Sequence, residues 1–275
     1  MGEAVRENPG ASAIERSEYR YGTIKKVVGI ISGKGGVGKS AVTGLLAAAM
    51  AHQGHSVGIL DADITGPSIP RMFGIHKKAQ TMGPVILPAI SVEKIKIMSI
   101  NLLLENEDDP VVWRGPLVAG AVKQFYTDVD WGDLDYLFVD LPPGTGDVPL
   151  TVMQSLPIDG VVIVATPQEL VGMIVKKALH MAEMMTVPVL GVIGNMSHVV
   201  CPDCKKEIYL FGSKGMQGIV AEAGMPLLGN LPILPDLALL GDEGKIELVD
   251  HLYPDFFEET RKAFEKRLND ISVEQ

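Results

Sequence analysis

The eight residues GKGGVGKS, Gly33 to Ser40, hold four glycines, two lysines and a serine. They complete the pattern G-x-x-x-x-G-K-[ST], in which closely spaced glycines let backbone N–H groups converge on an anion. Gly33, Gly35, Gly36 and Gly38 supply that turn, with Lys34 and Val37 between them. Lys39 supplies an ammonium for the β- and γ-phosphates, and the Ser40 hydroxyl is placed for Mg²⁺. A helix predicted from Lys39 adds its N-terminal dipole. Lys34 is a second lysine that a phosphate loop does not need.

Acidic residues stand where such a loop requires them. Asp140 closes the apolar run YLFV, a position from which a carboxylate can hold the Mg²⁺ shell beside a γ-phosphate. Asp61 and Asp63 end the run ILDAD; if the chain stays extended they share one face, Asp63 reaching the attacking water and Asp61 supporting it. Asp61 also fits a plain loop cap.

The other chemistry-bearing pair is Cys201 and Cys204, the only cysteines of the chain, in CPDC. They form no disulfide framework, and C-x-x-C alone suits a redox dithiol, half of a metal site or two inert thiols. Two thiolates cannot complete a tetrahedral Cys₄ site, whereas two chains related by a twofold axis can. Donor chemistry alone admits Zn²⁺ here. His180 and His198 are assigned structural roles.

These residues need elements to hold them. KVVGIIS (26–32), HSVGILDAD (55–63), DYLFVDLPPG (135–144), GVVIVATP (160–167), VPVLGVIGN (187–195) and PLLGNLP (226–232) are apolar runs without alternation, the pattern of buried parallel strands. KSAVTGLLAAAMAHQG, DVPLTVMQSL and QELVGMIVKKALHMAEMM have helical spacing, and Gly54 closes the first. The expectation is a doubly wound, mostly parallel α/β sheet flanked by helices, with ligands at the carboxyl ends of the strands. Residues 64–116 are expected to form a Pro- and Gly-punctuated excursion with short strands over the mouth of the sheet. The terminal PDFFEETRKAFEKRLNDI carries an apolar stripe of Phe257, Phe264, Leu268 and Ile271 and is expected to pack on the sheet.

Composition narrows the classes. The chain has 275 residues, 47% hydrophobic and 21% charged, with a net charge of −10 and no run of twenty apolar residues. This argues for a folded domain without a transmembrane helix, and against a general nucleic-acid binder, which needs excess Lys and Arg. Residues 1–25 lack an apolar signal core, and Arg6 stands where a myristoylation signal wants Ser or Thr. They read as a flexible leader on a cytoplasmic protein. Residues 26–275 read as one ATPase domain with an inserted CxxC metal loop at 197–212.

GKGGVGKS with its extra lysine resembles the deviant Walker A motif of the MinD/ParA-like P-loop class. DADITGPSIP, VVWRGP, DLPPGTGD, GNMS followed by CPDC, and GNLP, in that order, resemble the Mrp/ApbC/Nbp-type iron–sulfur cluster carrier ATPases. The resemblance covers about Val27 to Gly244. It implies a MinD-like P-loop NTPase fold and a homodimer in which Lys34 reaches the phosphates of the partner's nucleotide, as an arginine finger does. It makes Asp63 the switch I carboxylate, Asp140 the Walker B residue and Pro142–Asp147 switch II. Asn195, which otherwise reads as an ordinary Asx turn, would contact adenine, with Pro232 nearby. The implied cofactors are ATP, Mg²⁺ and a [4Fe–4S] cluster bridging Cys201 and Cys204 of two chains. The implied partners are apo iron–sulfur proteins, with neither nucleic acid nor membrane, and the implied ATPase turnover is low.

Rival readings are a MinD-type partitioning ATPase, a nitrogenase-like reductase and a nucleotide-gated zinc-binding adaptor. The first would want a membrane helix or basic DNA face, and the second single cysteines far apart in sequence. The resemblance is to shorter family members without an N-terminal four-cysteine cluster.

Overall fold

The computed structural model describes residues 19–64, 66–104, 115–167, 171–210 and 215–274. In chain order the strands are β1 (Ile24–Ile31), β2 (Val57–Asp61), β3 (Gln80–Met82), β4 (Val85–Leu87), β5 (Ala89–Ile90), β6 (Lys96–Ser99), β7 (Leu134–Asp140), β8 (Gly160–Ala165), β9 (Val189–Gly194), β10 (Val199–Val200), β11 (Glu207–Ile208) and β12 (Leu227–Asn230). The α-helices are α1 (Lys39–His52), α2 (Ile69–Met72), α3 (Gly115–Thr127), α4 (Asp147–Gln154), α5 (Val171–Met184), α6 (Gly215–Glu222), α7 (Pro235–Asp242), α8 (Val249–Leu252) and α9 (Pro254–Glu274).

Eight strands form one sheet in the order β12-β9-β8-β1-β7-β2-β6-β5. All neighbours run parallel except β5, which is antiparallel to β6. A parallel sheet needs both faces covered, which is why its strands read as continuous apolar runs. Two cores satisfy this. One centres on Trp131, Phe125 and Val139 beneath α3 to α6, and the other on Leu46, Phe138 and Phe257 beneath α1 and α9. The stripe of α9 lies in the second core: Phe257, Phe264, Leu268 and Ile271 are all buried there.

All six strands expected from the sequence are present, and the sheet has two more. IKIMSI forms β6, which extends the sheet beyond β2 with Ile59 opposite Ile97 and Asp61 opposite Ser99. The excursion expected over residues 64–116 therefore returns to the sheet before continuing. Of VVWRGP, Val111–Arg114 lie outside the described residues. At the N-terminus β1 begins at Ile24, two residues inside the expected leader, and Tyr19 packs against the first core. Residues 1–18 lie outside the described residues, as do 211 and 212 of the CxxC loop. Among the described residues no helix is long and apolar enough to cross a membrane.

Candidate functional site: a phosphate loop and a cysteine hairpin

Because β1, β2, β7, β9 and β12 are parallel, their last residues gather on one edge of the sheet. The chain leaves that edge at Ile31, Asp61, Asp140, Gly194 and Asn230. The predicted nucleotide-site residues lie at or just after these exits, so one sheet direction assembles that site.

The loop from Gly33 to Gly38 links the central β1 to α1. Gly38 caps the helix with φ +79°, and a Cβ there would lie 2.2 Å from Asn195 Nδ2, so the position needs glycine twice over. The Ser32 hydroxyl donates to the Lys34 carbonyl at 3.0 Å, and Gly144 N–H of the PPGTGD segment donates to the Ser32 carbonyl at 2.8 Å. The expected switch segment is thus tied to the loop's entrance. The Lys34 residue is half-buried on the loop's shoulder.

Asp140, fully buried at the end of β7, is the hub. Ser40 Oγ donates to its Oδ2 at 2.6 Å and Thr43 Oγ1 to its Oδ1 at 2.7 Å. Lys39 Nζ lies 2.8 Å from Oδ1. That ion pair is close but poorly aimed, and the buried Nζ has no acceptor in hydrogen-bonding geometry. Among the described residues the Lys39 Nζ, paired with Asp140, thus has donors left for phosphate oxygens. The residues fit Mg²⁺ and a nucleotide phosphate. Thr43 escaped the sequence reading, although its spacing of four from Lys39 puts both on one helix face.

β2 ends at Asp61, so the extended backbone that would put Asp61 and Asp63 on one face does not continue to Asp63. Asp61 is fully buried and accepts the N–H groups of Asp63 at 3.2 Å and Ile69 at 3.3 Å, plus the Ser99 hydroxyl at 3.2 Å. It braces the turn that presents Asp63. Burial, then the charges of Asp140 and Asp63, push its carboxyl up to about 8 against the pull of Lys39. Asp63 lies at the margin of the buried set, and its Oδ1 accepts Gly66 N–H at 3.3 Å.

Asn195 directly follows β9. Its Nδ2 donates to the Val37 carbonyl at 3.0 Å and its Oδ1 accepts Met196 N–H at 3.0 Å. Asn195, Pro232 and Gly38 line one cavity of about 540 Å³, walled further by Met72, Leu237 and Ile246. It is mainly apolar with a few polar groups, a lining suited to a heterocycle. The amide keeps one N–H and spare lone pairs for it.

The cysteines stand apart, on a hairpin of β10 and β11. Lys205 N–H donates to the Cys201 carbonyl at 3.0 Å and Cys201 N–H to the Lys206 carbonyl at 3.0 Å, with Lys205 at φ +58° closing the turn. Both thiols are free; Cys204 is exposed. Backbone N–H groups of Cys204 and then Asp203, followed by the Cys204 thiol, hold the Cys201 thiol below the usual range. Amides aimed at a sulfur favour the thiolate, which is the ligand form. Among the described residues no third His, Cys, Asp or Glu gathers with this pair. His198 instead bonds Ser197 Oγ at 2.7 Å through Nδ1 and faces Tyr209, bracing the hairpin's base. His180 lies exposed on α5.

Comparison with known proteins identifies the family and the fold. Residues 23–271 match the family model described as ParA, NUBPL iron-transfer P-loop NTPase. The iron-sulfur cluster carrier protein of Clostridium perfringens is 50% identical over 235 residues, 82% of each chain. A nucleotide-binding protein of Archaeoglobus fulgidus, solved with ADP, is 44% identical with a TM-score of 0.75, over 86% of this chain and 91% of that one. The septum site-determining protein MinD of Pyrococcus horikoshii shares the fold at 20% identity, with a TM-score of 0.59 over 90% and 95% of the chains.

Proposed function

We propose, from the premise that this chain belongs to the NUBPL iron-transfer family of ParA-type P-loop NTPases, that it is an ATP-binding, slowly hydrolysing carrier of iron–sulfur clusters. The observation that carries this reading is the short path between two chemistries. Asn195 is clasped to the phosphate loop through Val37, and Cys201 follows six residues later on the hairpin.

ATP would place its phosphates on the N–H groups of residues 33–40 and draw the Lys39 ammonium from Asp140. Ser40 would then turn its hydroxyl to Mg²⁺, with Asp140 accepting from the metal's water shell. Mg²⁺ supplies charge neutralisation at the transferring phosphate. Asp63 would orient the attacking water, and the adenine would enter the cavity beside Asn195 and Pro232. Lys34 would act across a homodimer on the other subunit's nucleotide, where charge develops only in the transition state.

The cargo is a [4Fe–4S] cluster, with two thiolates from each of two chains completing its four ligands. It passes to apo-proteins by exchange of their cysteines for Cys201 and Cys204, one thiolate replacing another at iron. The setting is the cytoplasm, where thiols stay reduced.

Anaerobic reconstitution with iron and sulfide, followed by metal and sulfide assay and native mass, tests the reading. The expected result is four irons and four sulfides per two chains. Zinc without sulfide that is lost on Cys201→Ser would favour a nucleotide-gated zinc-binding adaptor, and a cluster on a strict monomer would refute the bridging site.

A further inference from the structure

A second group of metal-binding side chains lies at the opposite end of α1 from the phosphate loop, about 20 Å away at 1.5 Å per residue. His52 closes α1, His251 lies on α8, and Glu93 projects from the turn between β5 and β6. Their ligand atoms all lie within 4.8 Å of one another. The cysteines take no part in it.

The donors are already oriented. His52 Nδ1 is 2.7 Å from Asp250 Oδ2; with the carboxylate as acceptor, Nδ1 is assigned a proton, which leaves Nε2 facing Glu93. Nε2 is buried and has no hydrogen-bond partner. A carboxylate behind one imidazole nitrogen, with the other nitrogen left bare, is the arrangement that fixes a metal-bound histidine. Glu93 straddles the gap, with Oε2 3.9 Å from His52 Nε2 and Oε1 3.6 Å from His251 Nε2. Ligands at 2.0–2.2 Å around a tetrahedral ion are separated by roughly 3.3 Å, so small rotations bring all three to bonding distance.

The turn bearing Glu93 is itself fixed. The buried Glu247 accepts the Ser91 hydroxyl at 2.6 Å and Glu93 N–H at 3.2 Å, while Ser91 and Ile95 pair through Ser91 N–H at 3.0 Å. Three elements distant in sequence thus deliver two imidazoles and one carboxylate to one point from braced positions.

We propose that His52, Glu93 and His251 form a binding site for a divalent transition metal of the Zn²⁺ class, with Asp250 as the positioning residue behind His52. Two imidazoles select borderline ions such as Zn²⁺, Co²⁺ or Ni²⁺ over Mg²⁺ and Ca²⁺. His251 lies on the solvent side, so water completes the coordination. The ion joins the last turn of α1 to α8 and to the β5–β6 turn, a staple independent of nucleotide and cluster.

The test uses the full chain carrying Cys201→Ser and Cys204→Ser, which removes the thiolates. Dialysis against Zn²⁺ in excess Mg²⁺ is expected to leave about one zinc per chain. Co²⁺ is expected to give ligand-field absorption without thiolate charge transfer. Zinc should raise the unfolding temperature, as any ligand of the native state does. His251→Ala and Glu93→Gln, both at partly exposed positions, should abolish the binding and the thermal shift while circular dichroism stays unchanged. Asp250→Ala should weaken affinity 10- to 100-fold, the usual effect of losing a partner behind a ligand. Absence of stoichiometric zinc in the cysteine-free chain, or its retention after both His251→Ala and Glu93→Gln, overturns the proposal.

Discussion

Asn195 donates from Nδ2 to the Val37 carbonyl at 3.0 Å, binding the exit of β9 to the phosphate loop. The same nitrogen occupies the space a Cβ on Gly38 would need, 2.2 Å from it. Between β9 and the cysteine hairpin, Ser197 N–H donates to the Leu231 carbonyl at 2.9 Å and Ile233 N–H to the His198 carbonyl at 2.7 Å. The segment that leads from Asn195 to the hairpin is thus anchored both to the loop and to the chain after β12. Linkage requires that any effect of nucleotide on cluster affinity be returned by the cluster on nucleotide affinity.

Gly38→Ala tests this contact directly. The left-handed φ alone costs about 1–2 kcal/mol for a residue with a Cβ, and the clash adds to it. Chemical denaturation should show destabilisation by at least that amount together with weakened ATP binding. Truncating the obstructing amide as well should relieve part of the loss. Gly38→Ala combined with Asn195→Ala is expected to be less destabilised than the sum of the single variants, and strict additivity would refute the contact.

Lys39→Ala removes the ammonium beside a buried carboxylate. Losing one partner of a buried pair costs about 3–5 kcal/mol, reduced here because Ser40 and Thr43 still donate to Asp140. The variant should fold at lower stability and lose ATP affinity by about 100-fold or more, about 2.7 kcal/mol or more. Calorimetry showing unchanged affinity would remove the phosphate-loop assignment.

Asp61 gives a pH prediction whose sign runs against the usual carboxylate. Its carboxyl is raised to about 8 in the folded chain, chiefly by burial, against roughly 3.9 unfolded. Between these values the native state binds more protons than the unfolded state, so stability falls as pH rises from about 4 to about 8 and levels off above. Asp61→Asn should flatten this component while retaining an oxygen for the N–H of Asp63 or Ile69. Denaturation midpoints from pH 5 to pH 8 check it, and parallel slopes in the two proteins would exclude Asp61 as the cause.

Much of this fold is legible in the sequence because buried parallel strands leave nothing to alternate. Residues 26–32 and 160–167 read as strands without any structural input. Short strands are expected within residues 64–116, but not that β6 joins the main sheet, because its Lys96 breaks the apolar run; the Lys96 Nζ reaches the Trp131 carbonyl, a partner 35 residues away. Asp140 was legible from its place at the end of an apolar run, whereas the different settings of Asp61 and Asp63 depend on where β2 stops, which hydrogen bonds to β6 and β7 decide. His52, Glu93 and His251 have no shared spacing at all. Only the tertiary return of α8 onto α1 brings them together.

Lys34→Ala separates binding from turnover. If Lys34 acts on the partner's nucleotide as charge develops, ATP affinity should change by less than about threefold while hydrolysis falls by about 10³-fold, the lower end of what an arginine finger contributes. Hydrolysis at the wild-type rate would refute the role. Mixing Lys34→Ala with Lys39→Ala should restore part of the activity, because one intact nucleotide site then faces one intact Lys34.

The two cysteines should differ in reactivity before any metal is bound. Backbone N–H groups of Cys204 and Asp203 favour the thiolate of Cys201 and lower its pKa. As pH falls from 9, Cys201 should retain its thiolate after an ordinary thiol has lost it, and should alkylate first at pH 7 despite the greater exposure of Cys204. Timed iodoacetamide labelling read by peptide mass measures this order, and equal rates would refute the amide effect. A thiol whose pKa is lowered releases fewer protons on metal binding, so Cys201 should contribute less than an ordinary thiol to the pH dependence of cluster affinity. Reconstituted cluster should protect both thiols. Cys201→Ser and Cys204→Ser should each abolish the cluster yet leave ATP affinity within about threefold of wild type, since neither side chain lines the cavity beside Asn195. Loss of ATP binding in either variant would mean that the hairpin supports the nucleotide site itself.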